Sequence, residues 1–180
     1  MARIEFLMRR IECQAISAEA FTQFGVLVDA NGTAPEMIND GSTARYADLA
    51  SLDLGTAAGD PKIGIYVASA RNFPLRIAKL ERHRQASQVF IPLGMQRFIV
   101  VVAPGDDEPD WLQLAAFLTE PGQGISVGRG CWHHGLIALG DADRFAVIEG
   151  AGYRLDTEEV AAPQEIWLDG AAQATDCRRR

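Results

Sequence analysis

Short runs of alternating or continuous apolar residues, parted by turn residues, organise this chain. Lys62 to Ala68, Leu75 to His83 and Gln88 to Pro92 read as strands. Arg97 to Ala103 is apolar and β-branched along its length, the pattern of a strand buried on both faces. Shorter strands are predicted at Ile11 to Ile16, Val26 to Val28, Ile125 to Val127, Leu136 to Leu139, Phe145 to Ile148 and Glu165 to Leu168. Trp111 to Leu118 reads as a helical turn followed by a strand. The clearest helix is Ser17 to Gly25. Ser17 can cap its first amides, Gly25 can take the left-handed position that ends it, and Phe21 and Phe24 share the face turned to the core. Asp29 to Gly41 and Asp53 to Pro61 are rich in Gly, Asn, Asp and Pro and read as loops. Many short strands at close spacing predict an all-β barrel or sandwich with one or two short peripheral helices. One domain is expected over residues 11–170, with poorly ordered tails at 1–10 and 171–180.

Composition narrows the function classes. With 180 residues and 48% hydrophobic content the chain can bury a sizeable single core. A net charge of -7 argues against a duplex nucleic-acid binder or a polybasic membrane-surface protein. No apolar stretch has the length of a membrane-spanning helix. Cys13, Cys131 and Cys177 show no Cys-x-x-Cys spacing and read as free thiols of a reducing compartment.

The chain has three histidines, and their surroundings hold the candidate chemistry. His83 follows Glu81 by two residues, so both side chains leave a strand on the same face. His133 follows Gly128-x-Gly130, a pair of glycines suited to a tight turn that aims the next side chains. If the two segments lie side by side, Glu81, His83, His133 and the strand-opening Gln88 converge on one polar interior. Glu81 to Arg84 also reads as a solvated charge run at a strand end, and Cys131 as a structural cysteine. Trp132 reads as a packing residue at the barrel mouth.

Glu81-x-His83, Gln88 and Gly94 resemble a degenerate first cupin motif, and Gly128-x-Gly130-x-x-His133 resembles the second. Glu81 stands where cupins place a histidine, and Gln88 where they place a glutamate. More specifically, Glu19-Ala-Phe with Phe24-Gly25, Ile38-Asn-Asp-Gly with Arg45-Tyr46-x-Asp-Leu, Leu80-Glu-Arg-His with Gln88-x-Phe-Ile-Pro, and Trp132-His-His resemble the ureidoglycolate lyase family. That resemblance implies a cupin-like β-barrel and a cytoplasmic homodimer. It implies an enzyme that splits (S)-ureidoglycolate into glyoxylate and urea in allantoin degradation. It also implies a divalent metal such as nickel, with His83, Gln88 and His133 as ligands.

The reaction needs a base for the substrate hydroxyl and an acid for the departing nitrogen, roles open to His83, His133 and Glu81. Gln88 is expected to hydrogen-bond the ureido group or the hydroxyl. Arg45 is expected to bind the substrate carboxylate from a loop over the barrel mouth, with Tyr46 and Asn39 adding hydrogen bonds. The rival readings are an amidohydrolase releasing ammonia from the same substrate, and a non-catalytic cupin-like sensor of a small carboxylate.

Overall fold

The computed structural model describes residues 8–170. In chain order the strands are β1 (Arg9–Ile11), β2 (Cys13–Ala15), β3 (Gly25–Val28), β4 (Glu36–Ile38), β5 (Thr43–Arg45), β6 (Pro61–Ala68), β7 (Leu75–Arg76), β8 (Lys79–His83) and β9 (Gln88–Pro92). They continue with β10 (Phe98–Ala103), β11 (Ala115–Leu118), β12 (Gly124–Val127), β13 (Trp132–His133), β14 (Ile137–Ala138), β15 (Asp143–Gly150), β16 (Thr157–Ala161) and β17 (Ile166–Leu168). Two one-turn helices, α1 (Ala18–Phe21) and α2 (Tyr153–Asp156), and a 3-10 turn at Trp111–Gln113 lie between strands. The all-β expectation holds.

Three layers stack. The middle sheet runs β16-β8-β13-β10-β11-β2, with β14 also paired to β10. On one side it faces the sheet β3-β12-β9-β15-β6, and Phe98, Val100 and Val102 of β10 pack there against Phe90, Ile125, Phe145 and Val147. On its other side Ile99, Val101 and Ala103 pack with Ile11, Leu75, Ile166 and Leu168 of a small third sheet, β1-β17-β7. Being covered twice is why β10 is apolar at every position. Phe21 and Phe24 both enter the first core, their rings 6.1 Å apart.

Several expectations need correction. Ser17 does cap α1, accepting from the Ala20 amide, but the helix ends by Thr22. Gly25 instead opens β3, where a Cβ would collide with the Ser126 carbonyl oxygen, so close strand approach demands glycine there. The expected loop at Asp29 to Gly41 contains β4, which pairs with β5 as a hairpin. The single strand expected from Leu75 to His83 is two, β7 and β8, in different sheets, which is why the buried parity shifts from Leu75 and Ile77 to Leu80. Thr157 to Ala161, read as part of a polar finish, is a strand paired with β8. The expected N-terminal tail is shortened, because Arg9 and Arg10 belong to β1 and pair with Ile166 and Trp167. The expectations for residues 1–7 and 171–180, Cys177 included, lie outside the described residues.

Candidate active site between the two larger sheets

His133 is held by three adjacent strands. It pairs with Val102 of β10 on one side and with Glu81 of β8 on the other. Cross-strand partners share a face, so His133 and Glu81 look the same way as Val102, into the space between the two larger sheets. The turn before His133 is fixed by Gly130. Its φ is +77°, a conformation other residues adopt only at a cost, and its amide donates to the His83 carbonyl at 2.7 Å. The tight turn expected from Gly128-x-Gly130 is present, and its bond to His83 also ties the two histidine segments together.

The result is a compact three-residue cluster. The imidazoles of His83 and His133 lie 5.3 Å apart, tilted by 55°. Glu81, His83 and His133 each offer a ligand atom within 4.8 Å of the others. Two imidazole nitrogens and a carboxylate suit a divalent transition metal, so the residues fit such an ion. His83 Nδ1 lies 3.3 Å from the Thr157 hydroxyl. His133 Nδ1 lies 3.0 Å from the Cys131 carbonyl oxygen. A carbonyl can only accept, so Nδ1 carries the proton and Nε2 presents its lone pair to the cluster.

Burial sets the charge of this site. His133 is 2% exposed, and desolvation above all pulls its pKa from 6.5 down to about 4. It is neutral near pH 7, so its 3.8 Å approach to Glu81 Oε1 is not an ion pair. Desolvation likewise raises Glu81 above the ordinary carboxylate range.

Gln88 also faces this interior, since it shares parity with core residue Phe90 and pairs with Val127. Its Nε2 donates to Glu149 Oε2 at 2.8 Å, and Tyr66 donates to the same oxygen at 3.3 Å. Neither Glu149 nor Tyr66 stood out in the sequence. Their only signal is parity, a carboxylate two residues after inward Val147 and a phenol opposite Phe145.

Arg45, Tyr46 and Asn39 are not brought to the cluster of this chain. Arg45 sits on the exposed hairpin, 3.1 Å from Glu36, its cross-strand partner. Asn39 is in the hairpin turn with φ +51°, its side-chain amide donating to the Thr43 hydroxyl at 3.4 Å. Tyr46 borders an apolar depression with Val89, Ile91 and Ile148 on the outer side of the β9–β15 sheet. The expected loop over the site mouth is thus a hairpin turned elsewhere.

Trp132 is a packing residue as expected, but in the core rather than at a barrel mouth. It is fully buried in the second core, facing away from the imidazoles, with the Arg82 guanidinium 4.2 Å over its ring. Arg82 is 3% exposed, so Glu81 to Arg84 is no solvated run. Its guanidinium pairs with Glu158 at 2.6 Å and donates to the carbonyl oxygens of Asp106 and Asp107. His134 stays outside the cluster, its Nδ1 bonded to the Gly135 carbonyl.

Residues 8–169 match the family model described as ureidoglycolate lyase. The chain is 35% identical over 161 residues to a protein named ureidoglycolate lyase from Burkholderia mallei, covering 89% of this chain and 94% of that one. It is 39% identical over 163 residues to one of the same name from Azotobacter vinelandii, covering 89% and 98%. The corresponding protein of Pseudomonas paraeruginosa is 38% identical over 164 residues, covering 90% and 97%.

Proposed function

Because this chain belongs to the ureidoglycolate lyase family, we infer that it is a lyase that eliminates urea from ureidoglycolate and leaves glyoxylate. The observation that carries the site assignment is the convergence of Glu81, His83 and His133 between the two larger sheets.

The substrate is a hemiaminal whose central carbon bears a hydroxyl, a carboxylate and the ureido nitrogen. Elimination moves the hydroxyl proton to that nitrogen while the O–H electron pair becomes the second C–O bond and the C–N pair leaves with urea. His133, with its lone pair inward and its other nitrogen occupied, accepts a hydrogen bond from the hydroxyl. The same nitrogen takes that proton, and Glu81, whose protonated form burial favours, carries it on to the departing nitrogen. His83 is held beside it by Thr157. Gln88 contacts the ureido half. A divalent ion such as nickel, if bound, would be held by Glu81, His83 and His133, with the Glu81 carboxylate in place of the expected Gln88, whose amide is bonded to Glu149, and would supply positive charge for the substrate carboxylate and hydroxyl.

We further assign the working unit as a homodimer. Ile63, Ile65 and Val67 project from edge strand β6 at 76%, 51% and 66% exposure, an apolar row that a second copy would cover. The free thiols Cys13 and Cys131 accord with a cytoplasmic setting.

The test is incubation of purified protein with (S)-ureidoglycolate, metal-free and nickel-loaded, with urea, glyoxylate and ammonia quantified. Equal urea and glyoxylate is the expected result. Ammonia in place of urea would make the protein an amidohydrolase.

A further inference from the structure

Gln88 is buried, and its two polar atoms are treated unequally. Nε2 is committed to Glu149 at 2.8 Å. Oε1 is buried with no hydrogen-bond partner among the described residues. An unmet buried acceptor is costly, so it marks a place where a donor is expected. The orientation of the amide is not arbitrary, because a carboxylate accepts and only the NH2 end of Gln88 can serve it. Glu149 therefore dictates that the carbonyl end, not the amino end, is what Gln88 presents.

Glu149 is itself held. Its Oε2 also accepts from the Tyr66 hydroxyl at 3.3 Å. Tyr66 is set by its register opposite Phe145 and by edge-on packing with Phe90, ring centroids 6.4 Å apart. All three residues share the inward parity of their strands. Gln88 and Glu149 lie one step beyond the paired residues Val89 and Ile148, at the end of the sheet where β8 and β12 cross over. Residues 84–87 join His83 to Gln88 there, and the glycine turn after Val127 leads to His133.

We propose that Tyr66, Glu149 and Gln88 form a positioning chain that fixes the Gln88 carbonyl as an acceptor for a ureido N–H, and so selects the urea half of the substrate. This rests on the lyase reading given above. Glu149 and Tyr66 are positioning residues, and Gln88 is the group that touches the ligand. The chemistry agrees with the choice of half, since urea offers N–H donors where glyoxylate offers only acceptor oxygens.

The experiment compares full-length wild type with Glu149→Leu, Glu149→Gln and Tyr66→Phe. It measures kcat, KM and the separate inhibition constants of urea and glyoxylate. Glu149→Leu frees the amide to turn, so KM and the urea inhibition constant should each rise about tenfold, with kcat and the glyoxylate constant within about threefold. Glu149→Gln keeps an acceptor for Nε2 and should restore most of the loss. Tyr66→Phe should shift the same two constants about threefold. A change of both products' constants together, or of neither, overturns the proposal. If Glu149→Leu fails to fold, Tyr66→Phe decides, because it removes a single hydroxyl. Binding of N-methylurea, followed by its methyl signal in saturation-transfer NMR, separates the two inferences. Binding weakened by these variants in a protein that releases no urea would sink the lyase reading alone. Unaltered binding in an active enzyme would sink the positioning chain alone.

Discussion

His133 donates a hydrogen bond from Nδ1–H to the carbonyl oxygen of Cys131, 3.0 Å away and two residues earlier in the chain. That bond fixes the tautomer, so the inward nitrogen can accept but not donate. Replacing His133 with Ala should lower glyoxylate release by about 10²–10⁴-fold, the usual contribution of a positioned acid–base group. The β-sheet circular dichroism should be retained. Activity within threefold of wild type would remove His133 from the site.

The depressed pKa of His133 has a signed effect on stability. Unfolded, the imidazole takes a proton near its ordinary 6.5; folded, it resists until about 4. Between those values the unfolded chain binds more protons, so the fold weakens as pH falls from about 6.5 toward about 4. For metal-free protein the loss is on the order of 3 kcal/mol. Chemical denaturation at pH 7 and pH 4.5 would measure it, and His133→Asn should flatten the difference.

Arg82→Lys should destabilise despite keeping the charge. An ammonium cannot reproduce the planar fork that joins Glu158 to the carbonyls of Asp106 and Asp107, nor stack as well on Trp132. Arg82→Ala leaves Glu158 paired with Arg84 but strips the donors from the Asp106 and Asp107 carbonyls and the packing over Trp132, and should cost about 1–3 kcal/mol. Urea denaturation midpoints would report both.

Nickel binding should raise the melting temperature. At a hundredfold excess over the dissociation constant the linkage is worth about 2.7 kcal/mol. His83→Ala should remove most of the shift, and an undiminished shift would place the ion elsewhere.

Gly130→Ala meets no neighbouring atom, so its cost is backbone conformation alone, about 1 kcal/mol. Because that turn precedes His133, activity should fall further than stability. Paired melting and rate measurements would show this.

Much of the site was legible because period-two alternation is a strong signal. Glu81 and His83 share a face, and Gln88 to Pro92 forms β9 as read. What escaped was what alternation cannot carry. The break after Arg76 depends on a change of sheet, which local sequence does not encode. β16 was hidden because its residues are mostly polar and it is recruited by pairing with β8. Arg82 looked solvated because its partners, Glu158 and the 106–107 carbonyls, are distant in the chain. Arg45 looked available for a carboxylate because Glu36, nine residues before it, showed no sign of facing it until the hairpin was known.

Strand β8 turns Arg82 to one core while Glu81 and His83 face the other. A directed-evolution library that randomises positions 81 to 83 together would therefore mix clones that fail to accumulate with clones that accumulate but are inert. Holding position 82 constant while varying its neighbours separates expression from catalysis, and gives any search for altered substrate scope a usable starting pool.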